Sequence, residues 1–377
     1  MRSSGLILAS LALAACTSQD STAPMLDHTP LANQEGEGSA GTVYTLTNQA
    51  SNAVRAFSRA SDGVLTFVAD YPTGGAGAAA GLGSQGALAF GRERTLLAVN
   101  AASNEITALA IGSAGLSVIN TVASGGATPI SVTSHQGLVY VLNAAPPANI
   151  SGFRQDAQGR LTPMAGSTRA LSMPAPAPAQ VSFSRRGDFL VVTEKGTNSI
   201  VTFRLAADGT PGNAIVNPSA GATPFGFSFL TRGDYFIVSE AFGGAPNASA
   251  SSSYRLGDLG NINVRTASLH AGQTAACWIA VTPNNQFAYA ANTGSRTVTG
   301  YRVAPNGTLA LLDPSGVNAT VQGSAIDASV SRNGRFLYVL GGSSGTIDGY
   351  AIAADGSLAS RGYVAGLPAG NVGLLAR

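Results

Sequence analysis

Apolar and β-branched residues recur in short runs along the chain, and each run leads into a turn. One run, NSIVTFRLAADG, occupies residues 198–209, and related runs end at Gly63, Gly159, Gly307 and Gly356. Most of them end in Asp-Gly or Asn-Gly, the strongest short-range signal for a hairpin turn, because both residues tolerate a positive φ. Each run therefore predicts two antiparallel strands joined by a tight turn.

A second strand pair precedes these runs. It is clearest in residues 181–194, 279–292 and 328–341, where turns at Gly187, Asn285 and Gly334 each separate two apolar stretches. The repeat length is about 49 residues, as between Gly307 and Gly356. Four short strands in such a unit indicate a propeller blade, and no stretch after residue 20 shows the 3.6-residue period of a helix.

Seven such repeats fill the chain from Thr42 onward, but the first repeat lacks its innermost strand. The sequence ends in NVGLLAR, a lone apolar segment at residues 371–377. We predict that residues 372–375 complete blade 1, which closes the ring and removes exposed strand edges. The predicted fold is all-β, a seven-bladed β-propeller of four-stranded blades over residues 41–377.

The N-terminus is typical of an exported protein. Residues 5–15 are apolar except for Ser10 and follow Arg2, so residues 1–15 have the length and charge of a signal peptide. Leu13-Ala14-Ala15-Cys16 resembles the bacterial lipobox, which predicts lipidation at Cys16; the alternative is an ordinary secretory cleavage site. Residues 16–40 are then a lipid-anchored flexible tether.

These features predict a location in the bacterial cell envelope, with the membrane contacted through the lipid anchor. Thr17, in place of an Asp, favours the outer membrane or the periplasmic side, and secretion is the alternative. Charged residues are only 11% of the chain and the net charge is +2, without a basic block, so no nucleic-acid partner is expected. Two Cys and three His predict no metal site, and we expect no cofactor and a monomer.

Two motif matches do not carry their usual function. GLGSQG at residues 81–86 fits the dinucleotide-binding pattern, but a strand follows it where that pattern requires a helix. We interpret it as a flexible loop between blades. GGSSG at residues 341–345 fits the nucleophile-elbow pattern, but it joins two predicted strands.

The blade pattern, its seven copies and the terminal LPAGNVGLLA (residues 367–376) resemble the lactonase family of seven-bladed propellers, which includes 6-phosphogluconolactonase and carboxymuconate cyclase. The resemblance implies catalytic His, Arg and Glu residues at positions where this chain differs. The chain has Ala177-Pro178-Ala179 in place of His-Pro-His, Phe225-Gly226 in place of Arg-His, Glu240-Ala241 in place of Asn-Glu, and Asn292-Thr293 in place of Asn-Arg.

Polar residues at the ends of the second strands are the candidate site residues. Most blades have Asn there, as at Asn143 and Asn292, and we expect these amides to cap turns. Glu194 and Glu240 replace that Asn in neighbouring blades and are the candidate catalytic carboxylates. The predicted ligand-binding residues are Lys195, Gln180, Asn143, Asn292, Trp278, His270 and Asp327. We expect His270 in the loop between blades 5 and 6.

Three functions remain open on this evidence. The first is a cell-envelope lipoprotein that lacks the family's catalytic residues and binds a small molecule or a protein in its central funnel. The second is a divergent lactone hydrolase, similar to 6-phosphogluconolactonase, that uses Glu194 or Glu240 as a general base. The third is a structural or assembly lipoprotein.

Overall fold

The computed structural model describes residues 41–377, and these residues form a closed ring of seven antiparallel sheets. The ring confirms the predicted all-β propeller with four-stranded blades. Its strands in blades 1 to 3 are β1 (Gly41–Leu46), β2 (Ala53–Arg59), β3 (Leu65–Pro72), β4 (Leu88–Phe90), β5 (Thr95–Asn100), β6 (Glu105–Gly112), β7 (Gly115–Ala123), β8 (Pro129–His135), β9 (Leu138–Asn143), β10 (Asn149–Gln155), β11 (Leu161–Pro163) and β12 (Arg169–Ala170).

Blades 4 to 7 follow in the same order, and the final strand of the sequence joins blade 1. These strands are β13 (Pro178–Phe183), β14 (Phe189–Glu194), β15 (Ser199–Leu205), β16 (Pro211–Pro218), β17 (Pro224–Phe229), β18 (Tyr235–Glu240), β19 (Ala250–Leu256), β20 (Ile262–His270), β21 (Ala276–Val281), β22 (Phe287–Asn292), β23 (Thr297–Val303), β24 (Leu309–Leu311), β25 (Ala319–Thr320), β26 (Ala325–Val330), β27 (Phe336–Gly341), β28 (Thr346–Ile352), β29 (Leu358–Val364) and β30 (Val372–Ala376).

Helix is almost absent from the described residues, which contain only a single 3-10 turn at Phe242–Gly244. Across residues 41–377, no helix has the length and apolar character needed to cross a membrane. The signal peptide, Cys16 and the tether lie outside the described residues, so their predicted roles stay predictions.

Closure of the ring depends on β30. This strand pairs antiparallel with β1, with Val43 opposite Ala376 and Leu46 opposite Val372. The resulting sheet has the order β3-β2-β1-β30, so the last strand of the sequence is the innermost strand of blade 1. The predicted closure is confirmed, and the edge of β1 that faces the axis is thereby paired.

The repeated Asp-Gly turns differ in detail from the expected hairpin turn. Only the glycine has a positive φ, for example +80° at Gly209. The preceding Asp208 instead accepts a hydrogen bond from the backbone N–H of Thr210 through Oδ1, at 2.9 Å. The Asp side chain therefore stabilises the turn and the Gly supplies the left-handed residue, as in three-residue hairpin loops.

Neighbouring blades pack through apolar side chains of their second and third strands, and tyrosine hydroxyls add specific contacts. Tyr140 of blade 3 donates to the carbonyl oxygen of Gly209 in blade 4 at 2.8 Å. Tyr289 of blade 6 donates in the same way to Gly356 of blade 7 at 2.9 Å. Each Asp-Gly turn that receives such a hydroxyl is thus fixed against the preceding blade.

Candidate functional site

The inner strands of the seven blades begin on one face of the ring, which we call the mouth. Second strands end there too, so the residues after β14, β18 and β22 lie near the starts of β13, β17 and β21. A ligand entering the ring from this face would meet side chains from every blade. Apart from His270, the predicted site residues lie at the mouth or along the channel that leads from it.

Residues 81–86, which we call the axial loop, fill this mouth. The backbone N–H of Gln85 donates to the carbonyl oxygen of Ala179 in blade 4 at 3.1 Å. The hydroxyl of Ser84 donates to the carbonyl oxygen of Ile130 in blade 3 at 2.8 Å. The segment is a loop between blades 1 and 2, as interpreted, and it contributes backbone and side-chain hydrogen bonds to several other blades.

Gln85 makes the most extensive of these contacts. Its Nε2 donates to the carbonyl oxygen of Ile279 at 2.8 Å, and its Oε1 accepts from the backbone N–H of Ile279 at 3.1 Å. Gln180 of blade 4 holds the backbone of Phe227 in blade 5 through the same pair of bonds. A glutamine amide thus bonds to the backbone of an inner strand at two places. Gln180 does so from an inner strand, whereas Gln85 does so from the axial loop.

Gly226 makes room for Gln85. It occupies the position in blade 5 that Gln180 occupies in blade 4. Gly226 directly precedes Phe227, which lies opposite Val238, as Gln180 directly precedes Val181, which lies opposite Val192. A Cβ at position 226 would lie 2.0 Å from Oε1 of Gln85. The Gln85 amide therefore occupies the space of a side chain at 226, where the resemblance implies a catalytic His.

Lys195 and Trp278 hold the rest of the axial loop. The ammonium of Lys195 donates to the carbonyl oxygen of Gly83 and lies 4.6 Å from the ring centre of Phe225. The indole N–H of Trp278 donates to the carbonyl oxygen of Ser84 at 2.9 Å. Burial lowers the pKa of Lys195 to about 8. Both residues are thus at the mouth as predicted, and the loop covers them.

Glu194 is buried in the turn region of its own blade. It accepts hydrogen bonds from the backbone N–H of Ser172 at 3.0 Å and from the hydroxyl of Thr197 at 2.7 Å. The hydroxyl of Ser172 contacts its second oxygen. Both carboxylate oxygens are therefore engaged by neighbouring polar groups.

Glu240 has an equivalent environment in blade 5. It accepts from the backbone N–H of Gly221 at 2.9 Å and from the hydroxyls of Ser252 and Ser268 at 2.5 and 2.7 Å. Burial raises its pKa, although these hydrogen bonds oppose the shift. The two carboxylates have separate sets of partners, and neither lines the channel or the cavity beside the axial loop.

The Asn residues at the other strand ends are buried turn caps, as expected. Asn143 Nδ2 donates to Asn149 Oδ1 at 2.9 Å and to Ser151 Oγ at 3.0 Å. Asn292 Nδ2 donates to Thr299 Oγ1 at 2.9 Å. Glu194 and Glu240 take the place of these amides, so an Asn or a Glu occupies this strand end in five of the blades.

The central channel continues beyond Gln85 as a cavity of about 330 Å³ lined by all seven inner strands. Gln180 and Asp327 of the predicted set line it. Asp327 accepts from the backbone N–H of Ala328 at 2.7 Å, and burial holds the pKa of its carboxyl group well above the usual range. No Lys, Arg or His is among the described residues that line this cavity.

His270 lies elsewhere than predicted. It is the last residue of β20, the outermost strand of blade 5, and packs on Phe242 with ring centres 5.2 Å apart. The loop prediction was wrong because pairing of His270 with Ala250 extends the strand. The serine-rich segment Ala250–Leu256 opposite this strand forms β19.

Metal binding has no obvious location in the part of the chain that the structure describes. Within residues 41–377, no three His, Cys, Asp or Glu side chains are grouped closely enough to hold an ion.

Gln85 is the site residue that the sequence interpretation missed. Its one signal was Gly226, because a glycine within a strand often marks close approach by another group.

Solved structures similar to this chain include proteins described as lactonases. A putative 6-phosphogluconolactonase from Bacteroides uniformis has a TM-score of 0.71 at 20% identity, covering 88% of this chain and 98% of its own. The periplasmic gluconolactonase of Pseudomonas aeruginosa has a TM-score of 0.69 at 18% identity, covering 87% and 98%. At such identities these similarities show the fold.

A comparison with curated proteins found no match. A family model described as lactonase, 7-bladed beta-propeller, matches residues 148–243 and 249–369, more than half of the chain. The family match and the closed seven-bladed ring agree with each other and with the resemblance seen in the repeats. The chain therefore belongs to the family of seven-bladed β-propeller lactonases.

Proposed function

We propose that this propeller is a binding module of the cell envelope that does not hydrolyse lactones. The observation that carries the proposal is the axial loop, whose Gln85 occupies the space beside Gly226 and bonds to Ile279. A substrate placed at the mouth, as in the resembled family, would collide with this loop. The chain also lacks ionisable groups at Ala177, Ala179, Phe225, Ala241 and Thr293.

The hydrogen bonds made by the carboxylates of Glu194 and Glu240 support the same proposal. A general base must reach the water or substrate that it deprotonates, and a lost acid or base typically costs about 10²–10⁴-fold in rate. Glu194 and Glu240 instead accept hydrogen bonds from the turns around them. The channel below the axial loop, lined by Gln180 and Asp327, is the proposed location for a polar small ligand.

A lactone-hydrolysis assay tests this proposal. Purified wild type, Glu194→Gln and Glu240→Gln are compared on 6-phosphogluconolactone and a panel of other lactones, with a family member that retains His-Pro-His as positive control. We expect all three proteins to match the uncatalysed rate. Turnover by wild type that collapses in either variant would establish the alternative, a divergent hydrolase using that carboxylate.

We also propose that the protein is anchored in the envelope through a lipid on Cys16. The lipobox-like Leu13-Ala14-Ala15-Cys16 after an apolar segment supports this. Metabolic labelling with a fatty-acid analogue should mark the wild type and leave Cys16→Ser unlabelled. Equal labelling of both proteins would rule out the anchor and leave secretion as the location.

A further inference from the structure

A second cavity lies on the face opposite the mouth. It is a groove of about 760 Å³ between blades 1 and 2, bordered by the turn of blade 7 at Arg332. The start of β1, the end of β2 and the turn between β6 and β7 form its walls. Its volume is within the range of small-molecule sites, and it is separate from the channel proposed above.

Arginine dominates the charge of this groove. Arg59, Arg94, Arg332 and Arg377 line it, and no Asp or Glu does. We call this cavity the arginine groove. Four other arginines of residues 41–377 do pair with acids, among them Arg55 with Asp70 and Arg186 with Asp234, both at 2.7 Å.

The groove arginines are placed differently. Arg94, Arg332 and Arg377 form no ion pair with another described residue. Arg59 donates to the main-chain oxygen of Arg377 at 3.0 Å, which holds the Arg59 side chain against the backbone of Arg377. The main-chain carboxylate of Arg377 balances one of these charges, and no Asp or Glu lines the groove, so the guanidinium groups leave a positive potential that favours an anion.

The floor of the groove is apolar and aromatic. Tyr44 is buried and packs edge-on against Phe90, and Tyr71, Val68 and Leu116 line the same space. Burial raises the pKa of the Tyr44 hydroxyl, while the charges of Arg377 and Arg94 act to lower it. Two of the guanidinium groups are therefore close enough to this ring to act on its hydroxyl group.

We propose that the arginine groove binds an organic anion that carries a phosphate or carboxylate group on an apolar body. Guanidinium groups donate paired hydrogen bonds that match the oxygens of phosphate and carboxylate. The apolar floor beside them then contacts the rest of the ligand. This site is additional to the function proposed for the channel and does not depend on it.

Calorimetric titration of the full chain with phenyl phosphate tests this proposal, with inorganic phosphate and phenol as partial probes. We expect phenyl phosphate to bind more tightly than either, because only it offers both the anion and the ring. Arg94→Ser combined with Arg332→Ser should weaken binding at least about tenfold, the scale of a lost charged hydrogen bond. Arg160→Ser removes an exposed charge from blade 3 and should leave binding unchanged.

A second arm separates a soluble anion from a lipid headgroup. Flotation with phosphatidylglycerol vesicles, against phosphatidylcholine vesicles, shows whether the same double variant loses membrane binding. If the double variant loses binding of phenyl phosphate, the ligand is a soluble anion. If it loses only binding to vesicles, the ligand is a lipid headgroup. Either result supports anion binding by the arginine groove. Equal binding of wild type and double variant to both probes, or equal loss in Arg160→Ser, would overturn it.

The chain's own N-terminal segment is the remaining competitor. Residues 17–40 contain Asp20, Asp27, Glu35 and Glu37 but no Lys or Arg, and the chain enters the described region at Gly41 in the groove wall. The titration is therefore repeated on a full chain with these four residues changed to Asn or Gln. If phenyl phosphate binds only to that variant, the groove is occupied by the protein itself and the proposal fails.

Discussion

The hydroxyl of Tyr338 in blade 7 donates a 2.7 Å hydrogen bond to the carbonyl oxygen of Gly63 in blade 1, 275 residues away along the chain. It is the same contact that Tyr140 and Tyr289 make with the following blade. At this one interface, however, the two partners come from opposite ends of the fold. The contact therefore reinforces ring closure beside the β1–β30 pairing.

Changing Tyr338 to Phe should lower the free energy of unfolding by about 1–3 kcal/mol, because the Gly63 carbonyl oxygen would be buried without this partner. Chemical denaturation measures the change. Tyr363→Phe, at a partly exposed tyrosine on the outermost strand of the same blade, is the matched control and should shift stability by less than about 0.5 kcal/mol. Equal effects of the two variants would contradict a specific role for the contact.

Deletion of residues 371–377 should destabilise the domain, since it removes β30 and exposes the inner edge of β1. Leu374→Ala separately tests how much the side-chain packing of β30 contributes to stability. Leu374 is 4% exposed in a cluster with Val43 and Tyr338, so its truncation should cost roughly 2–5 kcal/mol. The half-buried Leu375, changed to Ala, should cost less. A truncated chain that melts like the full chain would refute closure by this strand.

Gly226→Ala should expel Gln85 from its bonds with Ile279. The added Cβ would also lie 2.6 Å from the main-chain oxygen of Cys277, which cannot move as a flexible side chain would. We expect a loss of about 1–3 kcal/mol together with faster hydrogen exchange in residues 81–86. Exchange measured by mass spectrometry gives both the location and the size of the change.

The control for this variant lies in the axial loop itself. A Cβ at Gly81 would meet nothing within 4 Å, so Gly81→Ala should change neither stability nor exchange appreciably. If Gly226→Ala leaves exchange of the axial loop at the wild-type rate, the space beside Gly226 does not determine how the loop is held.

Asp348 should make stability fall as the pH rises from about 4 to 7. Burial raises its pKa to about 7 from an ordinary value of 3.8. Across that interval the unfolded chain has lost the proton while the folded chain keeps it, so ionisation favours unfolding. Above pH 7 the full cost, on the order of a few kcal/mol, is present.

Asp348→Asn removes this cost, so the melting temperature of the variant relative to wild type should increase between pH 5 and pH 8. Asp355→Asn is a control of opposite sign. Hydrogen bonds from the backbone N–H and side chain of Ser357 lower the pKa of Asp355. The Asp355→Asn change should therefore affect stability only above about pH 4, and it should not raise the stability. A pH-independent effect of Asp348→Asn would contradict the burial argument.

The blade architecture was predictable because every repeat carries its own signals. Alternating apolar residues and a turn glycine such as Gly209 act within a few residues of each other, and the same pattern returns in each blade. The turn-capping role of Asn143 and Asn292 followed from the same regularity. Glu194 and Glu240 were correctly placed at the ends of second strands, because strand length is also repeated.

The arrangement of the mouth was not predictable, because contacts between distant blades determine it. The axial loop has no local pattern of its own, and its conformation depends on Ala179, Lys195 and Trp278. His270 was misplaced for a related reason. Its segment is polar, as loops usually are, and the side chains do not indicate a strand. Backbone pairing with β19 nevertheless makes the segment a strand.

The bond from Thr45 to the main-chain oxygen of Val372 spans 327 positions, and it has a consequence for biosynthesis. While the ribosome is still adding the later blades, blade 1 has no inner strand and the ring cannot close. The nascent polypeptide must keep that edge from pairing with other chains for most of its elongation. Final assembly of the ring therefore waits for the last residues of the chain.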